Sequence, residues 1–378
     1  MTTVGHVTSS DGAGDTRIGL STLLSRISSA RRRQCVAAAG RAETVALPSG
    51  TDVHPIGSGL SETWSVGSAV RLARWARRID VHILHAWTAR AVCLAGTVRP
   101  EGVPLVFSCS DPGLDARTVR ALRVFAERGA LAVVCAAQQV RRRLVEQGVP
   151  ADRCVVIRPP VDFARINEIR ASSSLRSRIG ATDKDRVVLV PVTRDVNAAV
   201  EGAWAMMVQG LLDERLRIVV LTGEGNDAAL RRLAAASYRP GGVTVLDRAT
   251  PFEESLGVAD ALLLCDDGDV STVPVAWAMA AGVLVVAAAG YAVSELISHK
   301  LNGLLYKRRS EAGVIVAIAQ CFAEASTPLG AKLRDAARGQ AYEAFGVRRF
   351  VDQHLRLYDN LTSGRSVDDG IVDSALVA

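Results

Sequence analysis

The chain has 378 residues, of which 49% are hydrophobic and 22% charged, with a formal net charge of +6. That length exceeds one ordinary core, so a soluble globular protein of two domains is expected. No apolar run approaches the ~20 residues that span a bilayer, aromatics make up only 4% of the chain with no recognition motif beside the charge, and no nucleic-acid partner is expected.

The opening MTTVGHVTSSDGAGDTR lacks the basic-then-apolar order of a signal peptide. The seven cysteines are odd in number, scattered and without a CxxC pair, which predicts reduced, mostly buried thiols and a cytoplasmic setting. The six histidines do not cluster with Cys or acids at ligand spacing, so no metal site is expected.

In chain order, VGHVTSS reads as a strand, the glycine-bearing turn through Gly12 and Gly14 follows, and an apolar-periodic helix runs from Ile18 to Ile27. VHILHAW, PLVFSCS, LAVVCAA and CVVIRPP are short apolar runs bounded by turn residues, hence buried strands. Helical patterns such as ARTVRALRVFAERG and AQQVRRRLVEQGV separate them. This alternation predicts a parallel sheet covered on both faces. Residues 1–165 carry 22 Arg and no Lys against 13 Asp plus Glu, with clusters at Arg31–Arg33, at Arg71, Arg74, Arg77 and Arg78, and at Arg141–Arg143. AVRLARWARRI sets its arginines beside Trp75 on an amphipathic helix. Either this is a solvated helix face, or it meets an anionic membrane surface or an acidic acceptor.

The series restarts after a polar helical link. RVVLVPV, LRIVVLTG, VTVLDR, ADALLLCD and VLVVAAA form a second set of strands with helices between them. The expected organisation is a first domain over 1–165, a linker over 166–184, a second domain over 185–345, a closing helix over 346–361 that packs back on the first domain, and a loose tail over 362–378. In doubly wound sheets ligands bind outside the carboxyl ends of the strands.

Three features of the second half converge. LTGEGNDAALRRL places Gly223 and Gly225 between a strand and a helix, where the backbone can approach a phosphate at the helix N-terminus. A tight strand–helix turn explains it equally. Arg194 follows a buried strand, where a guanidinium either clamps a diphosphate or sits at the surface. DGDVSTVPVAWAMAAG, Asp267 to Gly282, runs from a polar turn into a helix of small apolar residues, as a helix N-terminus facing a ligand would.

This ordered set resembles the retaining, nucleotide-sugar-dependent glycosyltransferases of the GT-B fold, known as family 4 or group 1. The resemblance spans nearly the whole chain. It is carried by AVVCAAQQVRRRLVEQGVPADRCVVIRPPVDFARI, by ADALLLCDDGDVSTVPVAWAMAAGVLVVAAAGYAVSELISHKLNGLLY and by the closing LRLYDNL. It implies two doubly wound Rossmann-like α/β domains with the active site in the cleft between them. The family's glycine-rich turn matches Gly12 and Gly14. Its acceptor-side His falls on Ser110 while Asp111 remains, and His85 is placed on the same acceptor side. Its diphosphate-holding Arg and Lys fall on Arg194 and Ala199. Its two glutamates fall on Asp269 and Trp277, a degenerate pair, and Glu295 matches a further acid, with Gly290 and Gly303 at turn positions.

The family's second glutamate accepts hydrogen bonds from ribose hydroxyls, whereas indole has one donor and no acceptor. Trp277 therefore either stacks on a base or sugar, or fills a cleft no longer used for nucleotide. The resemblance implies a hexosyl-type transferase with Arg194 and Asp269 in catalysis and a nucleotide-sugar as donor. It implies a glycan or lipid-linked acceptor and no cofactor or metal. The charge of the Arg-rich first domain points to acidic or membrane-embedded acceptors, and so to a cytoplasmic protein in peripheral contact with an anionic membrane. The alternative is a catalytically silent glycosyltransferase-like binding or scaffold protein.

Overall fold

The computed structural model describes all residues except 1, 10–13, 28–31, 40–46, 49, 58–64, 111–112, 130, 169–172, 193–195, 212, 223–226, 238–240, 247–249, 251, 266–271, 308–309, 326 and 374–378. It divides into two compact units, 1–160 with 347–377, and 161–346.

The first unit is built on a seven-stranded parallel sheet: β1 (Thr2–Ser9), β2 (Arg32–Ala39), β3 (Val53–Pro55), β4 (Ile83–Ala86), β5 (Leu105–Cys109), β6 (Leu131–Cys135) and β7 (Cys154–Val156), in the order β3-β2-β1-β4-β5-β6-β7. Five helices follow strands in sequence: α1 (Gly14–Arg26), α2 (Val66–Arg78), α3 (Ala89–Val98), α4 (Ala116–Glu127) and α5 (Gln138–Glu146). Ser65, Thr88 and Asp115 cap α2, α3 and α4, each side chain accepting from a backbone N–H in the first turn. α2 buries Leu72, Trp75 and Ala76 and turns Arg74, Arg77 and Arg78 outward. Its apolar face is spent on the core.

The second unit repeats the plan. Its helices are α6 (Phe163–Glu168), α7 (Ser173–Arg178), α8 (Val196–Gly210), α9 (Asp227–Ala235), α10 (Phe252–Leu256), α11 (Val273–Ala281), α12 (Tyr291–Ser294), α13 (Glu311–Ala325) and α14 (Pro328–Phe345). Its strands are β8 (Arg186–Pro191), β9 (Leu216–Leu221), β10 (Val243–Leu246), β11 (Ala261–Leu264), β12 (Leu284–Ala288) and β13 (Leu304–Tyr306), all parallel, in the order β10-β9-β8-β11-β12-β13. The closing helix α15 (Val347–Ser363) returns to the first unit and packs beside α1. Among the described residues no single helix is long and apolar enough to cross a membrane.

Two expectations about the chain's organisation are corrected. The segment 166–184 is not a free linker. Phe163 meets Tyr342 edge to face, Arg165 pairs with Glu253 at 3.6 Å, Arg178 bonds Thr250, and Leu175 and Ile179 are buried, so the second unit begins at 161. The tail is not loose as far as Asp373. Arg356 bonds the Gly370 carbonyl, Gln353 donates to the Val372 carbonyl at 2.7 Å, and Asn360 donates to the Asp369 carbonyl at 2.9 Å. At its end Asp373 accepts two bonds from the fully buried Arg158 guanidinium, at 2.9 and 3.0 Å.

Candidate functional site

In each sheet the first strand sits inside, and the chain winds outward from it in both directions. The strand order reverses between β1 and β4 in one sheet and between β8 and β11 in the other. Such reversal points open a crevice at the carboxyl ends of the strands. In the first unit that crevice is flanked by Ser9 at the end of β1, by Trp87 and Thr88 after β4, and by the start of α1, which opens with Gly14. Ser9 Oγ and Thr88 Oγ1 lie 2.6 Å apart, tying the two strand ends together.

A narrow pocket lies beside this point. Thr16 and Gly19 of α1, Trp87, Ser108 and Ser110 form its walls with Phe350 of α15. A Cβ on Gly19 would stand 2.9 Å from the Trp87 ring, so glycine is what lets α1 close over the indole. Ser110 therefore does stand with the first turns of α1. Gly12 and Asp111 lie outside the described residues.

His85 stands one layer beneath the pocket. It is fully buried, with Nδ1 2.7 Å from the Tyr358 hydroxyl and Nε2 2.8 Å from Ser108 Oγ. Its ring stacks on Trp87 at 4.2 Å, near His6 and His354. An acceptor-facing imidazole would require both hydrogen bonds to break. β4 is buried along its whole length, and on such a strand apolar neighbours do not reveal which face a polar residue takes.

Burial sets the electrostatics of this cluster. Desolvation lowers His6 to about 4 and His354 to about 3, with a Gln34 bond opposing it at His6 and the Phe350 carbonyl opposing it at His354. Desolvation, with smaller repulsion from His6 and His354, holds His85 well below the usual range. Desolvation pushes the Tyr358 phenol up. At neutral pH the cluster is uncharged, and each imidazole has one donor and one acceptor. His85 thus links Tyr358 to Ser108, and Ser108 faces the pocket. Sequence reasoning missed His354 and Tyr358, because nothing local marks a residue whose partner His85 lies more than two hundred positions away, and it missed Ser108, which bonds His85 from the neighbouring strand 23 positions on.

In the second unit the positions of interest follow strand ends. Segment 193–195, with Arg194, follows β8. Segment 223–226, with Gly223 and Gly225, follows β9. Segment 266–271, with Asp269, follows β11. β9, β8 and β11 are adjacent in the sheet. Arg194, Gly223, Gly225 and Asp269 themselves lie outside the described residues.

The flanking residues are described. α11 begins after Thr272 with Pro274 in its first turn and ends at Gly282, whose φ of 71° calls for glycine. Trp277 lies in α11, 3% exposed, and its indole N–H has no hydrogen-bond partner among the described residues. Ala199 of α8 is buried among the apolar core residues of the unit, so its side chain takes the core face of that helix. Glu295 is half-buried at the C-terminal end of the short helix α12, not at a helix start, so it does not cap an N-terminus. Gly290 precedes α12, and a Cβ on Gly303 would stand 3.0 Å from the Val285 carbonyl. Asn302, unremarked in the sequence, is buried; its side chain accepts from Ser298 N–H at 2.8 Å and donates to the Leu296 carbonyl at 2.7 Å, closing the turn before β13.

Among the described residues no three His, Cys, Asp or Glu side chains converge as a metal-ligand set. The seven cysteines are free thiols, four of them buried.

Comparisons with known proteins agree along the chain. A family profile described as Glycosyltransferase Family 4 matches residues 33–165. A second, described as Glycosyl transferases group 1, matches residues 186–324. No curated protein matches by sequence. Among solved structures, Anabaena Alr3699/HepE in complex with UDP is similar at 18% identity and a TM-score of 0.76, covering 95% of this chain and 100% of that one. A glycosyltransferase from Rickettsia africae ESF-5 is similar at 14% identity and a TM-score of 0.77, covering 95% and 98%. Sucrose-phosphate synthase from Thermosynechococcus elongatus is similar at 11% identity and a TM-score of 0.72, covering 96% and 100%. At these identities the likeness is one of fold: two Rossmann-like domains of the GT-B type.

Proposed function

We propose a working sugar transfer for this chain, which belongs to the glycosyltransferases of family 4 and group 1. The proposed reaction moves a hexosyl group from a nucleotide-sugar to a glycan or lipid-linked acceptor with retention of anomeric configuration. Nucleotide-sugar use draws support from Alr3699/HepE, solved with UDP-glucose.

The observation that carries the reading is the placement of the candidate donor loops. The segments bearing Arg194, Gly223, Gly225 and Asp269 follow three adjacent strands on either side of the point where the second sheet reverses. In this reading Arg194 and the glycine turn hold the diphosphate, and Asp269 stands by the transferred sugar. The guanidinium and helix N-termini stabilise the leaving phosphate without a cofactor or metal. The acceptor is taken by the first unit beside Gly12, Gly14, Ser110 and Asp111, with His85 holding Ser108 from behind. The protein works in the cytoplasm, peripheral to the inner face of the membrane. Contact there is electrostatic, through the outward Arg74, Arg77 and Arg78, because Trp75 is buried against the core.

A specific observation favours a second reading, a catalytically silent binding or scaffold protein. Trp277 is buried where the resemblance puts a ribose-binding acid, and Ala199 takes a core position where it puts a lysine. Calorimetry with a panel of UDP, GDP, ADP, CMP and their sugars, with and without Mg²⁺, separates the two. Metal-independent micromolar binding of one nucleotide is expected, and Arg194→Ala is expected to weaken it at least several-fold. Binding of none of them favours the scaffold.

A further inference from the structure

We propose that the narrow pocket beside the first crevice is an acetamido site: the acceptor is a sugar bearing an N-acetyl group, and Ser108 donates to its carbonyl oxygen. This deepens the reading in which the first unit takes the acceptor, and rests on it.

Hydrogen-bond direction carries the inference. Two chains of buried groups run into the pocket wall, and their neighbours fix the protons in both. In the first, the Gln34 amide donates to the Leu23 and Ile27 carbonyls at 3.1 and 3.3 Å, so its oxygen is left to accept from His6 Nε2 at 3.1 Å. His6 Nδ1 is then bare and accepts from the Trp87 indole N–H at 3.1 Å, which pins that ring as a fixed wall. In the second, the Tyr358 hydroxyl is fully buried, and its one partner among the described residues is His85 Nδ1 at 2.7 Å. A buried hydroxyl proton needs an acceptor, so the phenol donates and the imidazole nitrogen receives. Neutral His85 therefore carries its own proton on Nε2 and donates to Ser108 Oγ at 2.8 Å. Ser108 already accepts there. Its own proton has no acceptor among the described residues, and Ser108 lines the pocket. The pocket thus presents a donor.

The walls select what accepts. Trp87, Val134, Ile157, Pro159 and Phe350 give the pocket apolar sides. An anion would lose its hydration against them. A sugar hydroxyl would bring a second proton, which these side chains cannot accept. A neutral carbonyl needs only the donor. The cavity volume is about 30 Å³. One water takes roughly 10–15 Å³ on that measure, so there is room for a few heavy atoms and no more. The carbonyl carbon, oxygen and methyl of an acetyl group fill it, with the methyl against the apolar walls and the oxygen at Ser108.

Saturation-transfer NMR of the full chain with N-acetylglucosamine, N-acetylgalactosamine and N-acetylmannosamine, each beside its parent hexose, tests this. At least one acetamido sugar is expected to bind about tenfold or more tighter than its parent, with the acetyl methyl the most strongly saturated group. Ser108→Ala is expected to weaken that binding about tenfold, the worth of one hydrogen bond, and to leave the parent hexose unchanged. A merely structural loss would weaken both. If Ser108→Ala melts early, Val134→Ile takes its place with the same expected loss, since it fills the cavity and keeps the hydroxyl. In ¹⁵N-histidine-labelled protein, with His85→Gln giving the assignment, the His85 proton is expected on Nε2. A proton on Nδ1 overturns the proposal, as do equal affinities for every acetamido sugar and its parent, or no sugar binding at all. The nucleotide calorimetry keeps the two readings apart. Nucleotide binding without an acetamido preference leaves the transfer and overturns this site. Acetamido binding without nucleotide binding supports this site and removes the transfer.

Discussion

Trp277 and the imidazole cluster show how single side chains set the character of each half. Among the described residues the Trp277 N–H is buried without a partner, and an unmet buried donor costs roughly 1–3 kcal/mol. Trp277→Phe, which removes the donor and keeps most of the ring, is therefore expected to melt at or slightly above the wild-type temperature. Trp277→Glu is expected to lower the stability of the second unit by roughly 3 kcal/mol, through lost packing and a buried carboxylate. If Trp277 blocks a ribose pocket, the same change strengthens nucleotide binding in calorimetry. No gain in a folded variant would mean the cleft differs more widely. In the first unit, His6 and His354 have folded pKa values of about 4 and about 3, below the unfolded value of 6.5. The unfolded chain binds more protons in that window. The stability from neutral burial is thus complete above pH 6.5 and lost as pH falls through 4, by on the order of 3 kcal/mol per imidazole. Urea midpoints of the first unit are expected to drop steeply below pH 6.5, and His354→Phe should make that slope shallower. The resemblance made Trp277 legible as a departure, but burial of both it and His85 was not, since in a chain of buried strands and helices neighbouring residues look alike whichever way a side chain turns.

At the scale of elements, the strongly periodic pieces were readable and the short or disguised ones were not. β4 to β7 and β8 to β12 stand out as apolar runs between turn residues. β2 opens with Arg-Arg-Gln and continues into alanines, so it read as a basic cluster rather than a strand. Arg32, at its head, is buried and pairs with Asp359 of α15. β3 and β13 have three residues each, as β7 does, but lack the Pro-Pro stop that lets CVVIRPP stand out around β7. The tail was misread for a related reason: nothing within it shows that Asp373 meets Arg158, 215 positions earlier. Asp373→Ala would leave the Arg158 guanidinium buried without its carboxylate. Such losses cost roughly 3–5 kcal/mol, and a lowered melting temperature of the first unit is the expected reading. Gly202 belongs to the same scale. A Cβ there would collide with Cys265 Sγ at the end of β11, so Gly202→Ala is expected to destabilise the second unit by about 1–3 kcal/mol, measurable by chemical denaturation.

For the whole molecule, the two-domain plan was legible because the strand–helix alternation runs, lapses and restarts. The order of strands in each sheet, and hence where the crevices open, came only with the structure. The plan also has a temporal consequence. The first unit is assembled from both ends of the chain, with the second threaded between them. Its histidine cluster needs His354 and Tyr358, and its buried guanidinium needs Asp373. On the ribosome the second unit can fold as soon as it emerges, while the first waits for residues 347–373. At about 5–20 residues per second that interval is on the order of ten seconds or more. The nascent amino-terminal half therefore spends its most vulnerable period with an open sheet face, and is the natural client of whatever holdase meets the chain at the exit tunnel.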